Sequence, residues 1–112
     1  MSRHETVVRL RHMLDAANEA VALSRDRLRQ DLDTDRMLNL ALVRLLEVIG
    51  EAANRISDDE HSRYNEIEWA QIISLRNRLI HGYDEVDFDI LWQIITGDLP
   101  VLVTKLEHIL GK

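Results

Sequence analysis

The sequence predicts an all-α bundle, and three observations carry that prediction. Apolar residues recur at three- and four-residue spacing along most of the chain. Helix-start patterns, a small polar residue followed three positions later by Glu, occur at Ser2–Glu5, Ser57–Glu60 and Asn65–Glu68. Four Gly and one Pro in 112 residues leave little turn-forming material. The composition, 46% hydrophobic and 30% charged, is ordinary for a globular protein and too apolar for a disordered one. A single domain spanning residues 1–112 is expected, long enough to bury about two-thirds of its unfolded surface without disulfides.

Taken in order, Ser2-Arg3-His4-Glu5 opens a first helix with the stripe Val7, Leu10, Leu14, Ala17, Val21. Ala16, Ala17, Ala20 and Ala22 allow close packing. The polar stretch Ser24 to Asp33 has neither Gly nor Pro, so this helix is expected to run on toward Leu28. Thr34-Asp35 supplies an N-cap for the second helix, with the stripe Leu38, Ala41, Leu45, Val48, Ala52, Ile56. Leu40, Leu42, Leu46 and Ile49 widen that stripe, which suits a central helix or one that also meets a partner chain. Gly50 within it costs up to about 1 kcal/mol relative to Ala, so another helix should approach closely there. Ser57 starts a short helix. Asn65-Glu66-Ile67-Glu68 opens the next, which Gly82 is suited to end. Asp87 caps a last helix, kinked or briefly broken near Pro100. The expectation is a four- to five-helix up-and-down bundle.

Charge and composition exclude several functions. There is no Cys, so disulfides, thiolate zinc sites and cysteine nucleophiles are ruled out. The net charge of −6 lies wholly in residues 57–112, where five basic residues face eleven acidic ones. Asp84, Glu85, Asp87 and Asp89 cluster there. A broad basic nucleic-acid-binding surface is therefore not expected, and any RNA contact should be local. No signal-like leader or membrane-length apolar run is seen, which predicts a soluble, cytoplasmic protein without membrane attachment. None of the five histidines pairs with another at helical spacing, and Glu-x-x-His is absent, so no metal or other cofactor is expected.

The informative stretch is Arg76-Asn77-Arg78-Leu79-Ile80-His81-Gly82-Tyr83. At about 100° per residue, Trp69, Ile72, Ile73, Leu79 and Ile80 form one apolar stripe with Arg76 in its middle. Arg78 falls on the far, solvated side. A guanidinium on a buried face needs a partner. Either a carboxylate meets it, with Glu47 and Glu51 the obvious candidates, or the helix faces a cleft or a second subunit. Glu47 and Glu51 are also placed to pair with Arg44 and Arg55 on their own helix. A helix ending near Gly82 would free His81 to swing toward Arg76. Such a pair suits metal-independent RNA cleavage, with His81 taking the ribose 2′-hydroxyl proton and Arg76 stabilising charge on the phosphate. One His and one Arg per chain are too few for both acid and base, whereas two chains meeting at this helix supply two of each.

Arg76-x4-His81-x-Tyr83 resembles the signature of the HepT toxins, a branch of the HEPN ribonuclease superfamily. Leu46-Glu47-Val48-Ile49-Gly50-Glu51-Ala52-Ala53, Trp69, the stretch Asp84 to Ile90, Asp98-Leu99-Pro100 and Leu106-Glu107-His108-Ile109-Leu110 are similar to the same family, which extends the likeness over residues 37–112. The resemblance implies a HEPN-like homodimer acting as the toxin of a type VII-like toxin–antitoxin pair of the HepT/MntA type. Its RNA-cleaving site would be composite, with Arg76 and His81 catalytic and Asn77 in support. A cognate nucleotidyltransferase antitoxin would silence it by adenylylating Tyr83. Two other readings stand beside this one. The first is a non-catalytic, substrate-binding partner subunit of a nucleotidyltransferase. The second is a structural bundle with Arg76 paired to Glu47 or Glu51.

Overall fold

A computed structural model describes residues 1–83 and 85–112. Asp84, one of the acids behind the motif, lies outside the described residues. Helix α1 (Arg3–Ser24) is followed by a short α2 (Asp31–Thr34), then α3 (Arg36–Asn54) and α4 (Asp58–Arg63). Two five-residue helices follow, α5 (Trp69–Ile73) and α6 (Leu75–Leu79). The chain closes with α7 (Phe88–Gln93), a π-helical turn (Ile94–Asp98) and α8 (Leu99–Leu110), which form one unbroken helical run. The architecture is all-α, as expected.

The bundle is organised around α3, which packs against α1, α2, α5 and α6; α1 also lies along α8. Leu10 and Leu14 of α1, Leu42 and Leu46 of α3, Leu79 of α6 and Ile95 of the π turn are among the fully buried residues. Each such side chain contributes roughly 1.5–3 kcal/mol. The buried arc of α3 centres on Leu38, Leu42, Leu46, Ile49 and Ala53, rotated from the expected stripe, and Leu45 and Val48 are only half-buried. Gly50 does sit at a close approach. A Cβ there would come within 3.3 Å of the carbonyl oxygens of Ile72 and Ile73.

The capping residues act locally and mostly as expected. Ser2 and Glu5 form a reciprocal capping box, Asp35 accepts from the Leu38 N–H, and Ser57 accepts from Glu60. Several boundaries differ. Helix α1 stops at Ser24, because Arg25 turns extended and Asp26 takes φ +61°, a left-handed conformation Asp tolerates. The next stretch makes the unexpected helix α2, whose Leu32 is buried and whose carbonyl accepts from the Asn39 amide at 2.9 Å. The Asn65–Glu68 pattern starts no helix. The Trp69 indole N–H instead donates to the carbonyls of His61 and Tyr64 (3.0 and 3.1 Å), and its ring stacks on His61, so helix begins only at Trp69.

The motif helix is not continuous. Ser74 Oγ donates to the Ala70 carbonyl at 2.7 Å, and its backbone, at φ −95° and ψ 12°, separates α5 from α6. A hydroxyl bonded back one turn is a known source of helix bending. Pro100 sits in the first turn of α8, just after the π turn, in which the Leu99 N–H reaches back to the Ile94 carbonyl. The local break expected near Pro100 is thus a widened turn within a continuous run. Among the described residues, no helix is long and apolar enough to cross a membrane.

Candidate active site

The buried positions on either side of Ser74 are Ile72, Leu75 and Leu79, at regular helical spacing, and Arg76 falls at the edge of that arc. Leu75 and Leu79, not Arg76, take the core positions of α6, and both are fully buried. The Arg76 side chain is 61% exposed, and its Nε lies 3.4 Å from Glu47 Oε1. The apolar stripe therefore carries no charge. The carboxylate partner considered from spacing exists, but at the surface. Glu47 also faces Arg44 at 3.5 Å, and Arg44 reaches Glu51 at 3.5 Å, so Arg44 serves both acids, and Arg55 has no ion pair among the described residues. Arg76 and Asn77 line a groove of about 200 Å³ against Gly50, Glu51 and Asn54 of α3. Gly50, where α3 passes close to the Ile72 and Ile73 carbonyls, is part of that lining.

Arg78, placed on the solvated side by the wheel, is half-buried and donates to Asp98 Oδ2 at 3.0 Å. It ties α6 to the π turn. The sequence offers no cue for a pairing across 20 residues.

Beyond α6 the chain leaves helical geometry at Ile80, two residues before Gly82, so Gly82 is not the helix cap. Ile80 instead pairs with Val86 as an isolated antiparallel bridge. The His81 N–H donates to the Glu85 carbonyl and the Asp87 N–H to the Leu79 carbonyl, both at 2.7 Å. Gly82, with φ +69°, makes the reversal between the two sides, a conformation that disfavours any side chain. Tyr83 stands at its tip, fully exposed.

His81 does not turn toward Arg76 in this arrangement. Its Nε2 lies 3.0 Å from Asp87 Oδ2. Asp87 is held in turn by α7, whose Ile90 and Asp89 N–H groups donate to Oδ1 at 3.1 and 2.9 Å. The Ile90 N–H is the main cause that keeps the Asp87 carboxyl below its usual range, with the Asp89 N–H and the nearby His81 adding to it. The two motif residues thus each meet a different carboxylate, Arg76 with Glu47 and His81 with Asp87. The sequence identifies Asp87 as a helix cap, but its second contact depends on the reversal between Ile80 and Val86.

A second groove, of about 360 Å³, also borders Arg76 and mixes apolar residues (Leu40, Val43, Ile80, Val86 and Phe88) with Arg36, Asn39, Glu47 and Glu85. Met37 and Leu40, on the same helix as Val43, are 83% and 50% exposed.

Comparison with known proteins identifies the family. The model of the family described as "Ribonuclease HepT-like" matches residues 13–109. "Putative RNase MJ1380" of Methanocaldococcus jannaschii is 31% identical over 107 residues, covering 96% of this chain and 98% of that protein. "Probable ribonuclease HepT" of Thermococcus cleftensis is 36% identical over 80 residues, 71% of this chain and 73% of its own length. No solved structure matches the chain significantly. With the family model matched over residues 13–109, the chain belongs to the HepT-like HEPN ribonucleases.

Proposed function

We propose that this protein is the toxin of a type VII-like toxin–antitoxin pair, a metal-independent endoribonuclease whose site is completed by a second copy of the chain. The observation that carries this reading is the setting of the motif. An exposed Arg76 and a carboxylate-held His81 flank the end of α6, beside an apolar face that is uncovered among the described residues. His81 takes the proton from a ribose 2′-hydroxyl, the 2′-oxygen attacks the adjacent phosphorus, and the bond from phosphorus to the 5′-oxygen breaks. Arg76 stabilises the charge gathering on the non-bridging oxygens, and Asn77 in the same groove supports it. The leaving 5′-oxygen takes its proton from the imidazolium of the second chain. The products are a 2′,3′-cyclic phosphate and a free 5′-hydroxyl.

The need for that second imidazole supports the homodimer, and so do the apolar side chains Leu40, Val43 and Phe88 in the charge-lined groove beside Arg76, since exposed apolar patches rimmed by charge mark interaction surfaces. In a two-fold dimer the same patch serves both subunits. Tyr83, fully exposed at the tip of a turn, is open to a cognate nucleotidyltransferase. Adenylylation would add bulk and negative charge that compete with RNA phosphates for Arg76.

Cleavage of RNA by the purified protein in EDTA is the test, with Arg76→Ala and His81→Ala beside it. Each substitution should reduce cleavage by about 100-fold or more without unfolding an exposed site. Wild-type protein that is inert on RNA would favour the non-catalytic partner-subunit reading, and activity that requires added metal would remove the proposed chemistry.

A further inference from the structure

We propose that Asp87 is the positioning residue of the site, fixing the tautomer and orientation of His81. This rests on the nuclease reading of His81, but its structural part can be tested separately. The argument begins with the two oxygens of one carboxylate. Oδ1 is committed to the N-terminus of α7, where it accepts from the Asp89 and Ile90 N–H groups. Oδ2 is left facing His81 Nε2 at 3.0 Å. The distance between the residues is not left to flexible side chains. The Leu79–Asp87 and His81–Glu85 backbone hydrogen bonds bracket the Ile80–Val86 bridge, and they hold the two backbones in a fixed register.

An anion beside Nε2 favours the ring tautomer that carries its proton there. Nδ1 then keeps its lone pair, and the half-exposed ring presents that nitrogen for proton transfer. When Nδ1 takes the 2′-hydroxyl proton, the ring becomes an imidazolium whose positive charge faces the Asp87 carboxylate, which stays ionised throughout. Asp87 touches neither substrate nor reacting atom, so its effect passes entirely through His81.

Two substitutions separate this role from capping. Asn in Asp87→Asn is a good N-cap, and capping commits its carbonyl oxygen to the α7 N–H groups. Its NH₂ then faces His81 and turns Nε2 into an acceptor, which drives the proton to Nδ1. Ser in Asp87→Ser also caps α7 but is too short to reach the ring. The experiment records imidazole ¹⁵N shifts of the full-length protein by NMR, together with kcat and KM on a single-stranded RNA and a thermal melt.

Wild-type His81 should show the Nε2–H tautomer when neutral, the Asn variant the Nδ1–H tautomer, and the Ser variant a mixture. Values of kcat should fall roughly 10- to 100-fold in both variants, with KM within about twofold of wild type. An unchanged kcat in a folded variant overturns the proposal, as does a fall in kcat with the wild-type tautomer retained. If the wild-type protein cleaves no RNA, the nuclease reading fails, while the tautomer shift still decides whether Asp87 controls His81.

Discussion

Replacing Glu47 by Gln should tighten RNA binding, because the carboxylate occupies the guanidinium that a phosphate must reach. Glu47 Oε1 lies 3.4 Å from Arg76 Nε. Unit charges at that separation attract by about 1 kcal/mol in bulk water, and exposed pairs retain about 0.2–1 kcal/mol after side-chain entropy and salt. The Arg76 side chain is 61% exposed and that of Glu47 26%, which places this pair within the surface range. Gln preserves volume but removes the competing charge, and Arg44 keeps Glu51 as a partner. KM for a short RNA at low salt should therefore fall by about 1.5- to 5-fold with kcat unchanged. The difference should shrink toward 1 M salt, where the screening length is about 3 Å. A KM that is unchanged or higher at low salt would refute the competition argument. A fall in kcat would instead make Glu47 part of what holds Arg76 in place.

Three further outcomes follow from other parts of the molecule. Tyr83→Phe should keep RNA cleavage and stability, within about 0.5 kcal/mol for a fully exposed side chain, yet resist modification by the antitoxin and ATP, as read by mass spectrometry. Gly50→Val should destabilise the fold by about 1–3 kcal/mol, because even a Cβ meets the Ile72 and Ile73 carbonyls at 3.3 Å, and a denaturant titration measures this directly. The Asp35 carboxyl is held below its ordinary range, chiefly by the Leu38 N–H and also by Arg27. Its contribution to stability is therefore complete above the unfolded carboxyl pKa, near 4, and is lost as pH falls through the lower folded value. Thermal melts between about pH 6 and 2 should fall less steeply for Asp35→Asn than for wild type.

Much of the fold was legible in residue order because its signals are local. Ser2, Asp35, Ser57 and Asp87 cap helices through groups two or three residues away. Leu10, Leu14 and Ala17 share a buried face because helical periodicity places them together. Gly50 announced a close approach through its propensity cost. The setting of the site was less legible. A stripe drawn through Trp69, Ile73 and Ile80 puts Arg76 at its middle, but those three are only partly buried, and the core arc runs through Ile72, Leu75 and Leu79. Leu75 takes the core position and Arg76 turns outward to Glu47. The pairing of Arg78 with Asp98 and the second contact of Asp87 escaped notice because they need folded elements as neighbours. Caps and periodicity act over about one helical turn, so the chain determines them by itself. An ion pair between separate elements, or which arc of a half-apolar helix is buried, depends on where the other elements pack, and only the tertiary structure decided that Arg76 faces Glu47 while His81 faces Asp87.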